Sequence, residues 1–249
     1  MLILLPPSET KRSGGRPRPL DVAGLALPSL APQRESVIDA LVRLSADEEE
    51  AARILKLGAT QRGEVAQNAA LRAAPTMAAV DRYTGVLYDA LDAASLDPAS
   101  RRWVARHVRI HSAPFGPVAA LDPIPAYRLG ASVALPGVPP LTRLWADAVT
   151  SALADEAPSF VLDLRSEAYT ALGPVPPGIA SVYVRVVSDG DGGAVRALNH
   201  FNKHAKGALV RLIAQQRPRV ASRAGFVRWA AAAGLRVRDG DPGEIQLFA

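Results

Sequence analysis

At 249 residues, with 49% hydrophobic content and no cysteine, the chain is long enough to bury a sizeable core, and it excludes disulfides, thiolate metal sites and thiol-based redox mechanisms. No apolar run approaches the ~18 residues of a membrane span, and Met1–Leu5 is too short and too soon followed by Pro6 and Pro7 for a secretory signal, so a cytoplasmic protein with no membrane contact is expected. The formal charge of +5 is held unevenly: His200 to Arg238 contains nine Lys and Arg with no Asp or Glu, and the rest of the chain, with 20 basic and 24 acidic residues, is net negative.

Met1–Leu5 is a continuous apolar run ended by prolines and reads as a buried strand. The following loop, PPSETKRSGGRPRP, is rich in Pro, Gly and basic residues and places Ser8, Glu9, Thr10 and Lys11 at the strand's carboxyl end. Ser45-Ala46-Asp47-Glu48 has capping-box spacing and predicts a helix to Leu57 with Gly58 as its stop. A second short helix near Glu64–Ala73 completes a helical hairpin over about 45–73, a shape common to many unrelated helical proteins. Asp97-Pro98 is an N-cap and first-turn pair, so Ala99–His111 is expected to be helical, with Trp103, Val104, Val108 and Ile110 apolar and Arg101, Arg102, Arg106 and Arg109 on the other side.

Pro114–Pro125 is turn-rich, and Leu141–Ala154 returns to helix through apolar residues at three- and four-residue spacing. Phe160–Leu164 reads as a central strand that ends in Arg165-Ser166-Glu167-Ala168-Tyr169. Val182–Val187 and Ala194–Leu198 flank Ser188-Asp189-Gly190-Asp191-Gly192-Gly193, which has hairpin chemistry. A helix over Lys203–Gln215 ending before Pro218, another over Arg223–Ala233 stopped by Gly234, and a strand over Glu244–Phe248 close the chain. With no internal repeat and no long linker, the expectation is one compact α/β domain over residues 1–249, a mixed sheet with flanking helices.

Three polar segments each follow a predicted strand: Ser8 to Lys11, Ser166 to Tyr169, and Asn202 to Lys206. If those strands are parallel neighbours, the segments converge on one cleft, because open α/β sheets gather ligands at the carboxyl ends of their strands. Lys203 and Lys206 are three residues apart at a predicted helix start, where cations oppose the dipole. That placement suggests an anion site, to which free backbone N–H groups would add. The basic run Lys203, Lys206, Arg211, Arg217, Arg219, Arg223, Arg228, Arg236 and Arg238 points to a polyanion, nucleic acid or a phosphorylated ligand, although a solvated basic face that aids solubility has the same composition.

The pairs His107/His111 and His200/His204 have four-residue spacing but lack the Glu of a zinc-protease helix, so no metal site and no cofactor is assigned. No GxGxxG or GxxxxGK[ST] sequence is present, and Ser166 and Glu167 have no histidine at a recognisable triad spacing. Catalytic residues therefore stay unassigned.

Several ordered segments resemble the peroxide stress protein YaaA family, also called DUF328 or UPF0246. They are LILLPPSETKR, Tyr83-Thr84-Gly85, Leu121-Asp122-Pro123 leading to Ala126-Tyr127-Arg128-Leu129, Leu144-Trp145-Ala146-Asp147, Ser166-Glu167-Ala168-Tyr169, and Phe201-Asn202-Lys203-His204-Ala205-Lys206-Gly207. The resemblance implies a mixed α/β domain with a positively charged cleft, a helix-hairpin-helix-like element, DNA binding, and protection from peroxide by restraint of intracellular free iron. It also implies roles for Lys203 and Lys206, for Tyr127 and Arg128, and for Ser166 and Tyr169. The chain departs from many relatives, which have a Ser-Pro-Ala-Lys type segment in place of Pro7-Ser8-Glu9-Thr10-Lys11. It also lacks, over Glu48–Ala73, the Gly-x-Gly turn of strong helix-hairpin-helix binders.

Two functions follow as expectations. One is a stress protein that binds duplex or junction DNA with low sequence specificity, through phosphates, with Lys203, Lys206, Arg128, Lys11 and Arg211 as contacts. The other is an enzyme acting on a phosphorylated small molecule or nucleotide in a basic cleft, with Lys203, Lys206 and Arg128 holding phosphate, Ser166, Glu167 or Tyr169 near the reacting atom, and Ser8 and Tyr127 as further cleft candidates.

Overall fold

The computed structural model describes the backbone of residues 1–189, 195–196 and 199–248, and the side chains of 1–187 and 201–248. In chain order, the first half comprises β1 (Leu2–Leu5), α1 (Ala31–Leu44), α2 (Glu48–Ile54), α3 (Gly63–Ala69), β2 (Met77–Ala78), α4 (Ala79–Arg82), α5 (Val86–Leu91), α6 (Pro98–His107), β3 (Val108–Ser112), β4 (Gly116–Ala119) and β5 (Pro123–Ile124). The second half comprises α7 (Leu141–Glu156), β6 (Val161–Asp163), α8 (Glu167–Thr170), β7 (Ser181–Asp189), β8 (Val195–Arg196), α9 (Asn199–Gln216), α10 (Arg223–Ala232), β9 (Val237–Asp239) and β10 (Glu244–Phe248).

The main sheet is mixed and runs β4-β3-β1-β6-β7-β10-β9, with β8 pairing off β7. Its inner strands β3, β1, β6, β7 and β10 are parallel, and the edge strands β4 and β9 are antiparallel. All four residues of β1 are buried, as the apolar run at residues 2–5 predicts for a central parallel strand covered on both faces. Helix α7 presents Leu141, Trp145, Val149, Ala152 and Leu153 to the core, and the Trp145 indole donates to the Ala113 carbonyl at 3.0 Å.

Three expectations are corrected. The helix that begins at Asp97-Pro98 stops at His107, and Val108–Ser112 is instead a strand between β1 and the edge strand β4. Val108 and Ile110 are buried while Arg109 turns aside, a period-2 pattern of β-branched residues captured by pairing with β1. The hairpin's first helix is capped by Asp47, whose carboxylate accepts from the Glu50 N–H, whereas Ser45 closes the preceding helix through its hydroxyl bond to the Leu41 carbonyl. That preceding helix, α1, was not expected from the sequence. Helix α2 ends in a left-handed Lys56 (φ 55°), not at Gly58.

Helix α9 is the third correction. It begins at Asn199, about one turn before the expected Lys203, and stops at Gln216 where Arg217 turns left-handed (φ 50°) ahead of Pro218. Strands β7 and β8 pair antiparallel as the predicted hairpin requires, but its turn, residues 190–194, and residues 197–198 lie outside the described residues.

Candidate functional site

Strands β1 and β6 are parallel neighbours, so Ser8–Lys11 and Ser166–Tyr169 leave the sheet side by side at its carboxyl edge. Tyr127 and Arg128 arrive from the loop after β5, and Tyr83 and Thr84 from the turn between α4 and α5. Asn68 on α3 clamps Arg128 by its backbone, accepting from its N–H at 2.7 Å and donating to its carbonyl at 2.9 Å. An antiparallel bridge ties Lys11 to Tyr83.

At the centre of this group the Lys11 ammonium lies 4.1 Å from the centre of the Tyr127 ring and 5.5 Å from that of Tyr83. It donates to the Ser8 and Glu9 carbonyls at 3.0 and 3.2 Å. Burial, and secondarily the Arg128 guanidinium, lower its pKa to about 7. Arg128 faces Glu9 at 3.4 Å and Glu64 at 3.7 Å. The Tyr83 and Tyr127 hydroxyls are 2.7 Å apart, and Tyr88 donates to the Pro6 carbonyl at 2.7 Å. Burial holds the phenols of Tyr83, Tyr88, Tyr127 and Tyr169 protonated well above their ordinary range. The Ser8, Thr10 and Thr84 hydroxyls form a small network, with Thr84 donating to Thr10 at 3.0 Å and Ser8 and Thr10 3.3 Å apart.

A second group adjoins it beyond β6. Arg165 is wholly buried and grips Asp163 through Nε at 2.9 Å and Nη2 at 2.7 Å, while Nη1 donates to His111 Nδ1 at 2.9 Å and the Gly173 carbonyl at 2.8 Å. Because Arg165 can only donate, Nδ1 of His111 accepts and the ring is the Nε2–H tautomer. Burial and Arg165 keep that histidine neutral. Lys206 is buried beside this pair, with its ammonium 3.4 Å from the Arg165 carbonyl and 5.3 Å from the centre of the Tyr183 ring. Burial lowers its pKa to about 8. A cavity of about 540 Å³ opens nearby, lined by Asp163, Glu167, Tyr183, Arg185 and Glu244 among others.

Of the sequence-derived candidates, Ser8, Lys11, Tyr127, Arg128 and Tyr169 therefore come together, and Ser166 and Glu167 lie on the same α8 turn with their side chains exposed. Lys206 reaches the neighbouring group. It does so from the interior of α9, so the expected pair of exposed lysines at a helix start is replaced by one buried lysine and one exposed Lys203. Arg211 is engaged elsewhere, donating to the Leu91 and Asp92 carbonyls and to Ser95 Oγ where α5 ends. His107 closes α6 with its ring against Trp103, and His111 lies on β3, so the first histidine pair shares no face. Among the described residues no group of three His, Asp or Glu is placed to hold a metal ion. Sequence reasoning passed over Asp163, Tyr183 and Arg185. Alternation along β6 and β7, which sends Asp163, Tyr183 and Arg185 to one face, is the signal that finds them.

The sheet, with its inner strands parallel and titratable side chains gathered at their carboxyl ends, defines a mixed α/β protein. A family model described as peroxide stress protein YaaA matches residues 1–236, and the chain belongs to that family. Among its curated relatives, the UPF0246 protein CE1889 of Corynebacterium efficiens is 46% identical over 231 residues, 91% of this chain and 90% of the relative. The UPF0246 protein Cgl1995/cg2186 of Corynebacterium glutamicum is 41% identical over 96% of this chain and 95% of its own length. The UPF0246 protein SCO2297 of Streptomyces coelicolor is 44% identical over 85% and 82%. No helix among the described residues is long and apolar enough to cross a membrane.

Proposed function

We propose that this protein serves the peroxide stress response by binding DNA through phosphates and by helping to limit intracellular free iron. The observation that carries the DNA part is that Lys203, Arg219 and Arg228 are exposed and none of them forms an ion pair among the described residues. Other cations of the same stretch are occupied: Arg211 faces Asp92, Arg217 faces Asp97 and Arg223 pairs with Asp239. Unpaired exposed cations gain free energy by displacing condensed counterions from a polyanion. The iron part rests on the family's peroxide-stress description and on the absence of any cysteine, which removes thiol chemistry as the route of protection.

Binding isotherms on duplex and junction DNA at several salt concentrations test the first half. Affinity falls steeply with salt, and failure to retard any DNA at low salt overturns it. The second half predicts that cells lacking the protein are peroxide-sensitive and that an iron chelator relieves the sensitivity; sensitivity untouched by chelation overturns it.

The gathering of Lys11, Arg128, Tyr127 and Tyr169 at the carboxyl ends of β1 and β6 favours a second reading, an anionic small molecule such as a nucleotide held in the cleft. Protection of Lys11 from acylation by AMP, followed by peptide mass mapping, tests it. Labelling that is identical with and without AMP counts against the reading.

A further inference from the structure

We infer that Arg12, Arg16 and Arg18 form a second phosphate-contacting surface, a rigid basic strap beside the cleft that lies along a nucleic-acid backbone. The inference rests on the DNA-binding reading above and adds to it a surface far in sequence from the C-terminal arginines.

A Pro-, Gly- and Arg-rich loop is ordinarily the most mobile kind of segment. Here its backbone is fastened along its length. The Arg12 N–H donates to the Arg82 carbonyl at 2.8 Å, and Arg16 and Thr76 exchange backbone hydrogen bonds at 2.8 and 3.1 Å. Thr76 Oγ1 donates to the Arg18 carbonyl at 2.9 Å. Beneath the strap lies Arg82, wholly buried, which donates to the carbonyls of Arg12 at 2.6 Å, Pro75 at 3.0 Å and Ile124 at 3.2 Å. Gly15 permits this close seating. Its φ is +133°, and a Cβ there would stand 2.4 Å from the Thr76 carbonyl oxygen.

The strap's own guanidiniums are left over from all this bonding. Arg12, Arg16 and Arg18 are exposed, and no carboxylate lies within ion-pair distance of any of them among the described residues. Arg101 and Arg128, by contrast, are both paired with acids. Holding three unpaired like charges on a fixed backbone costs stability through self-repulsion and makes sense if a polyanion relieves it. Because the backbone is already ordered, that partner pays little for fixing it.

The length of the strap bears on the partner. Residues 12 to 18 can reach across at most ~20 Å of chain, enough for the three charges to meet separate phosphates, whereas a single phosphate group would need all three to converge. Duplex DNA presents a charge about every 1.7 Å along its axis and can meet all three at once.

The test compares three forms of the full chain on a short duplex across a salt series: wild type, R12A/R16A/R18A and R219A/R228A. The strap variant is expected to lose roughly tenfold or more in affinity, and its slope of log affinity against log salt should shallow by about 2.7. R12K/R16K/R18K, which keeps the charges, should retain the wild-type slope. Thermal unfolding of the strap variant should match wild type, since none of the three guanidiniums is hydrogen-bonded among the described residues; should it melt early, R12Q/R16Q/R18Q replaces it in the same comparison. Wild-type binding with an unchanged strap variant overturns this inference alone. Wild type that binds no DNA at low salt overturns the DNA-binding reading and the strap with it. Strap-dependent binding to phosphatidylglycerol vesicles in place of DNA likewise overturns the inference.

Discussion

Lys11 and Tyr127 are stacked, ammonium over ring at 4.1 Å, although 116 residues separate them in the chain. The contact joins the loop after β1 to the loop after β5 at the carboxyl edge of the sheet. It also sets the charge there, because the surroundings that bury the amine lower its pKa to about 7.

That value fixes a pH dependence. The folded pKa lies below the 10.5 of an ordinary lysine, so between pH 7 and 10.5 the unfolded chain binds more protons, and the cost of charging Lys11 is relieved as pH rises through that window and fully present below it. Lys11→Met should therefore raise the melting temperature relative to wild type more at pH 6 than at pH 10. Paired thermal melts at the two pH values check the sign, and a larger benefit at pH 10 refutes it.

Lys203 and Lys206 should behave differently despite their shared motif. Lys203→Ala, at an exposed position, should change stability by less than ~0.5 kcal/mol while weakening DNA binding. Lys206→Ala removes a buried side chain whose ammonium lies over the Tyr183 ring and should destabilise by about 1–2 kcal/mol. Chemical denaturation of each single variant separates the two roles; equal stability loss in both contradicts the placement.

Arg82 holds three carbonyls from three segments, and among the described residues it pairs with no carboxylate. Arg82→Met should cost roughly 3 kcal/mol, because the buried Ile124 carbonyl and the part-buried Arg12 and Pro75 carbonyls all lose their donor. Amide hydrogen exchange should show faster exchange at Arg12 and Arg16 in the same variant. Unchanged protection there would mean that the strap is held by other bonds.

Gly207 marks the crossing of α9 over α5. A Cβ at this position would sit 2.0 Å from the Leu87 carbonyl oxygen and 2.9 Å from Ala90 Cβ, so Gly207→Ala should destabilise by about 3 kcal/mol through overpacking. A urea titration reads the change, and a loss below ~0.5 kcal/mol would show that the helices slide apart freely.

Local chemistry made several elements readable from the chain alone. Four buried apolar residues ended by prolines define β1, Asp97-Pro98 starts α6 with both carboxylate bonds in place, and the spaced apolar residues of 141–153 define α7. The ordered motifs carried the family. Each of these signals is written within a few residues, where capping, periodicity and backbone restriction act.

What the tertiary structure decided is where long-range pairing overrules local preference. Val108–Ser112 continues a helical pattern in sequence yet becomes a strand because β1 offers it a parallel partner. Asn199–Asn202 joins the helix and leaves Lys206 in its buried interior. The alignment of β1 with β6 places Ser8–Lys11 beside Arg165–Tyr169, and only folding brings Lys11 under Tyr127 or Arg82 beneath the strap. Sequence supplies the residue types; their distances, and with them the lowered lysine pKa values, arise from burial and from charges contributed by distant segments.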